Sequence, residues 1–136
     1  HPKYIFKLFN VFSKGNFDLV VGSRNLLKSS EGLSYIRRLF SIVLIKIINY
    51  LLGNKTNDPM SGYFLFKKKI YLENKERMFV LGYKILSDLI YATKKNIKIK
   101  DVPIVFDRRI SGKSKMNFLI IIQLLLFIVF SFLKKR

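Results

Sequence analysis

Seven arginines stand at Arg24, Arg37, Arg38, Arg77, Arg108, Arg109 and Arg136, and five of them fall in three short polar stretches, at 24, 37–38 and 108–109. A guanidinium presents a planar fork that grips phosphate through two parallel hydrogen bonds, so grouped arginines point to a phosphorylated ligand. The whole chain leans the same way. In 136 residues, 26 Lys and Arg stand against 8 Asp and Glu, a formal charge of +18. Such a balance calls for an anionic partner: nucleic acid, a phosphorylated ligand, or the headgroups of an acidic membrane. Lys, Ile, Asn and Phe are abundant together, as A/T-biased coding would make them, so single lysines carry less weight than arginines. The lysine runs at 67–69 and 94–95 read as solvated faces. Other chemistries drop out. There is no cysteine for a disulfide or thiolate site, and the single histidine at position 1 removes histidine-based catalysis and most zinc chemistry.

The elements that must position these groups alternate in type. Half of the chain is apolar, which excludes a disordered basic tail, and the length suits one domain or part of one. Pro2 followed by Ile5, Phe6, Leu8, Phe9 and Phe12 predicts an amphipathic helix, stopped by Gly15 and Asn16. Residues 17–21 form a short apolar run ending at Gly22, which predicts a buried strand that feeds a loop over 23–33. Residues 34–52 predict an apolar helix closed by Gly53. The cluster Asp58-Pro-Met-Ser-Gly62 predicts a turn, 63–66 a strand, and 67–72 a short turn or helix. Helical spacing returns over 82–95. A strand pattern runs through Ile97, Ile99, Val102, Ile104 and Phe106, with Pro103 marking an edge or a break. Residues 107–115 read as a basic loop. Strands alternating with helices predict α/β packing, and three strands predict only part of a sheet. The sequence shows no charged n-region or cleavage-site pattern of a signal peptide.

Residues 118–133 carry no charge over 16 positions and lead into Lys134, Lys135 and Arg136. A helix of that length is about 24 Å long, short of the ~30 Å hydrocarbon core. It is expected to be a membrane-associated helix that seats on the bilayer without crossing it, and the helix over 34–52 shares its apolar character. The alternative is a helix covering one face of a sheet.

Three motifs occur in order: Asp18-Leu-Val-Val-Gly-Ser-Arg24, Asp58-Pro-Met-Ser-Gly62-Tyr-Phe, and Val102-Pro-Ile-Val-Phe-Asp-Arg-Arg109-Ile-Ser-Gly-Lys-Ser-Lys115. Together they resemble the second half of family-2 glycosyltransferases, in the dolichol-phosphate mannose synthase and polyprenyl-phosphate glycosyltransferase group. His1-Pro2 matches a His-Pro after that family's metal-binding acidic motif, Arg37-Arg38 its Arg-Arg helix start, and 116–133 the apolar helix after its basic loop. The resemblance covers essentially the whole chain. It implies an incomplete GT-A-like sheet with flanking helices, an acceptor-side half over 1–115, and an apolar membrane-associated helix with a basic end over 116–136. The implied reaction moves a sugar, mannose in the nearest group, from a nucleotide donor to a dolichol or polyprenyl phosphate on the cytoplasmic face of a membrane. The family's Mg²⁺ or Mn²⁺ sits on an Asp-x-Asp-like motif in the donor half, and no Asp-x-Asp occurs in these residues. The chain is therefore expected to be the acceptor half of a split, truncated or decayed enzyme, with no metal ligands of its own.

By the same resemblance, Arg24 and one of Arg37 and Arg38 hold the lipid phosphate, with Ser41 nearby. Arg108, Arg109, Ser114 and Lys115 form an acceptor loop that closes over the donor diphosphate. Asp58, Ser61 and Gly62 match the turn beneath the transferred sugar, and Asp88 aligns with a helix acid near the acceptor. Plainer roles stand beside these: a solvated charge for Arg24, turn initiation for Asp58, a structural acid in Asp88. A phosphate acceptor is already an anionic nucleophile, so positioning and charge neutralisation suffice without a strong base. An inactive remnant or a non-enzymatic basic membrane protein is the alternative. A nucleic-acid module fits poorly, because the aromatic residues sit within apolar runs.

Overall fold

The computed structural model describes residues 2–24, 35–80, 84–93 and 96–105, then 122, 123, 125, 126, 128–130 and 133; at 35–38 and 40 it describes the backbone alone. Pro2 opens helix α1 (Lys3–Lys14), followed by strand β1 (Leu19–Arg24) and helix α2 (Tyr35–Leu52). Strand β2 (Phe64–Phe66) leads into helix α3 (Lys68–Asn74) and a 3₁₀ turn over Lys75–Arg77, then helix α4 (Ile85–Ala92) and strand β3 (Ile99–Ile104). The sheet has the order β2-β1-β3, with β2 antiparallel and β3 parallel to β1. It is a small mixed α/β arrangement, as the alternation of elements predicts. The prediction of a strand over 97–106 is trimmed to 99–104, and Pro103 sits in an edge strand, where a missing N–H costs least.

Alternation along β1 assigns the layers. Leu19 and Val21 face one side and pack with Leu44, Ile48 and Leu52 of α2 and Leu86 and Ile90 of α4. Val20 faces the other side and packs with Leu8 of α1 and with Val102 and Ile104 of β3. With both faces covered, the central strand is apolar throughout its first half. Asp18 ties the amino end of the sheet together. Its carboxylate accepts from Lys67 Nζ (2.9 Å) and from the Lys98 amide (3.0 Å), and these bonds hold its pKa below the ordinary carboxylate value. Helix α2 ends in two left-handed residues, Gly53 (φ +72°) and Asn54 (φ 54°). The Asn54 amide donates to Asn49 O (2.7 Å), which satisfies a terminal carbonyl.

A third left-handed residue, Val80 (φ 50°), is β-branched and intrinsically strained there. Asp88 holds it in place, accepting from the amides of Val80 (2.8 Å) and Phe79 (3.0 Å).

The expected membrane-associated helix over 116–136 is described in part. Its described residues are helical, but among the described residues no helix is long and apolar enough to cross a membrane. One side of it meets protein. Phe130 stacks on Phe79 with ring centroids 6.2 Å apart, Ile128 packs against the α2/α4 core, and Lys84 Nζ donates to Gln123 O (2.6 Å). Its other described apolar side chains are exposed, Leu125, Val129 and Leu133 by 52%, 51% and 68%.

Lys84 is buried, and burial lowers its pKa to about 8 while Asp88 pulls the other way. The unfolded chain keeps that proton up to the ordinary value of 10.5, so between the two values the unfolded state binds more protons and stability rises with pH. The urea midpoint of the full chain is expected to climb between about pH 8 and 9.5. In Lys84→Met the climb should be absent, and parallel pH profiles for the two proteins would refute the assignment.

Candidate functional site

One group of polar residues converges at the carboxyl end of β1. Gly22 is where the 58–63 turn crosses the strand. A methyl group there would lie 3.0 Å from Tyr63 O and 3.1 Å from Ile104 Cδ1. The crossing is sealed by the Gly22 amide donating to Tyr63 O (2.7 Å) and by Ser61 Oγ donating to Gly22 O (2.6 Å).

Two residues further on, Arg24 meets Asp58. Arg24 Nε donates to Asp58 Oδ2 (2.6 Å), Nη2 to Oδ1 (2.9 Å), and the backbone amide of Arg24 to Oδ2 (3.2 Å). The carboxylate is 1% exposed and the guanidinium side chain 24%. Its hydrogen bonds to Asp58 raise the Arg24 pKa, against burial. Asp58 is held in turn. Its amide donates to Thr56 Oγ1 (3.3 Å), Thr56 Oγ1 donates to Asp101 Oδ1 (2.6 Å), and the Asn57 amide donates to Asp101 Oδ2 (2.8 Å). From α4, Ser87 Oγ donates to Pro59 O (2.5 Å). Two strands, a turn and helix α4 thus fix one guanidinium at the sheet end.

The sequence-derived site residues fall into three groups. Arg24, Asp58 and Ser61 are brought together, with Ser61 buried and spent on backbone contacts rather than facing a ligand. Gly62 is exposed, and a Cβ there meets nothing within 4 Å, so the position does not require glycine for space. Ser41 is half-buried on α2, and Arg37 and Arg38 lie in the first turn of that helix. Asp88 is buried and accepts from the Phe79 and Val80 amides, which gives it a structural role. Arg108, Arg109, Ser114 and Lys115 lie outside the described residues.

Thr56, Asn57, Asp101 and Ser87 escaped the sequence reading. The one available signal was Asp101, an acid inside an apolar strand pattern next to Val102.

A divalent cation does not fit this site. Among the described residues no three His, Cys, Asp or Glu side chains group together. Asp18, Asp58, Asp88 and Asp101 each accept hydrogen bonds from the fold itself. The arrangement instead offers a fixed positive group beside a sheet end, suited to holding an anion.

The chain matches no protein-family model. It is similar to a dolichol-phosphate mannosyltransferase of Pyrococcus furiosus, 30% identical over 119 residues. That alignment covers 85% of this chain and 33% of the relative, so the chain spans about a third of that protein's length.

Breaking the ion pair from one side leaves a largely buried charge unpaired. Asp58→Asn is expected to lower unfolding stability by about 2–3 kcal/mol, less than for a fully buried pair because Arg24 is partly exposed. In a double-mutant cycle with Arg24→Lys the two losses should fall well short of adding. Additive losses in urea unfolding would show that the two side chains act separately.

Proposed function

We propose that this chain is the acceptor-side part of a family-2 glycosyltransferase with a GT-A-like domain. Its reaction transfers a sugar, mannose by the similarity, from a nucleotide donor to a dolichol or polyprenyl phosphate on the cytoplasmic face of a membrane. The observation that carries this reading is the similarity to the mannosyltransferase over 85% of the chain. The rigid placement of Arg24 at the carboxyl end of β1 supports it, because open α/β sheets bind ligands at that end.

In this reading Asp58 is no general base, since both of its oxygens accept from Arg24. It orients the guanidinium toward the acceptor phosphate. Arg24, with Arg37 or Arg38 and Ser41, holds that phosphate, and the amides at the start of α2 face the same anion. Arg108, Arg109, Ser114 and Lys115 close over the donor diphosphate. The turn through Ser61 and Gly62 supports the sugar pocket from below. Mg²⁺ or Mn²⁺ and the nucleotide sugar are bound by the donor half, outside these residues. The net charge of +18 supports an anionic membrane as the place of action.

A second reading, an inactive remnant or a non-enzymatic basic membrane protein, is favoured by the absence of an acidic metal group among the described residues. Binding separates the two. Polyprenyl phosphate in detergent micelles is expected to bind the full chain, and Arg24→Lys, which keeps the charge but loses the fork, should weaken binding about tenfold. Lys68→Ala, on an exposed face of α3, should change it little. Equal small effects from both substitutions would leave only diffuse charge attraction and favour the second reading.

A further inference from the structure

Helix α1 carries three distinct stripes. Tyr4, Leu8, Val11 and Phe12 pack on the sheet. Turned away from it are Ile5, Phe6 and Phe9, exposed by 51%, 75% and 57%. Beside them run Lys3, Lys7 and Lys14, all exposed, and the helix contains no acidic residue.

The position of these stripes is informative. The Val105 amide donates to Tyr4 Oη (3.1 Å), and Lys7 Nζ donates to Pro103 O (3.5 Å). Pro103 and Ile104 pair with Ser23 and Arg24 across the sheet. The first two turns of α1 therefore stand at the same sheet end as the Arg24–Asp58 pair.

We propose that the first two turns of α1 form a lipid-contact surface that seats the Arg24 end of the sheet on an anionic bilayer. An amphipathic helix with aromatic side chains on one stripe and lysines on the next lies in the headgroup layer, its rings among the acyl chains and its cations on the phosphates. A second copy of the chain fits this surface poorly, because joining two such helices brings lysines against lysines. Helix α2 also exposes apolar side chains, at Leu39, Val43, Ile47 and Tyr50, but on the opposite sheet face. Among its described side chains Lys46 is the one exposed cation. Charge complementarity therefore selects α1. The inference shares with the proposed function the presence of a bilayer, and names the element that meets it.

The chain contains no tryptophan, so a single introduced indole reports one position. In full-length Phe6→Trp, vesicles of phosphatidylcholine with phosphatidylglycerol should shift emission to the blue, and brominated acyl chains should quench it. Ser13→Trp, exposed at the far end of the same helix, should stay unquenched. Replacing both Lys3 and Lys7 by Gln should weaken vesicle binding roughly 25-fold, about fivefold per cation. Quenching at Val43→Trp in place of Phe6→Trp would overturn the proposal. So would equal binding to phosphatidylcholine alone, or no vesicle binding at all. Retention of polyprenyl phosphate in detergent without vesicle binding would sink this inference and leave the transfer reading standing. Vesicle binding through Phe6→Trp without that retention would do the reverse.

Discussion

A carboxylate that is almost wholly buried and an arginine that is largely so hold the carboxyl end of β1, and most of the surrounding polar structure exists to satisfy them. Taking Asp58 out of water is costly unless each oxygen finds donors. Arg24 supplies three, from Nε, Nη2 and its own amide. The turn that carries Asp58 must then be immobile. Thr56 and Asn57 anchor it to Asp101 on β3, Ser87 anchors it to α4, and Ser61 anchors it to Gly22 on β1. A well-packed apolar pair would stabilise such a position at least as well as an ion pair does. The arrangement makes better sense as a means of aiming a guanidinium than as a source of stability.

That constraint reaches into the strand itself. The turn passes so close to β1 that Gly22 interrupts an otherwise apolar central strand, with Tyr63 and Ile104 filling the space a side chain would need. Before the interruption, Leu19, Val20 and Val21 are fully buried and alternate between two helical layers. At the other end Asp18 gathers the start of β3 and the end of β2. The sheet is small, yet a carboxylate clamps it at each end. Such clamping keeps the strands in register although few of them contribute to the sheet.

Much of this was legible in the residue pattern, and the failures have physical causes. The run over 17–21 ending in glycine identified a buried strand, and Asp58 to Gly62 identified a turn, because both signals are local. Pro103 marked an edge or a break for the same reason, and the fold makes it an edge. What stayed hidden was pairing. Nothing local says that Asp58 spends its oxygens on Arg24, 34 residues away, or that Asp101 holds Thr56 across 45. Arg24 read from sequence as a free fork; in the fold one edge of that fork is taken. The terminal apolar run leaves its partner open for a related reason. Absence of charge is shared by helices that meet lipid and helices that meet protein, and Phe130 on Phe79 shows the protein contact.

The commitments of the acidic residues bear directly on chemistry. A transfer to an alcohol acceptor would call for a base, and each described aspartate is already engaged by the fold: Asp18 by Lys67 and Lys98, Asp58 by Arg24, Asp88 by Phe79 and Val80, Asp101 by Thr56 and Asn57. An acceptor that arrives as an anion removes that need. What it requires instead is neutralisation and alignment, and preorganised positive groups supply both without reorganising during the reaction. A guanidinium fixed on one edge by a buried carboxylate is a group of that kind. Among the described acids, Asp58 and Asp88 are buried and set local geometry, whereas Glu73 and Glu76 are exposed and leave it untouched.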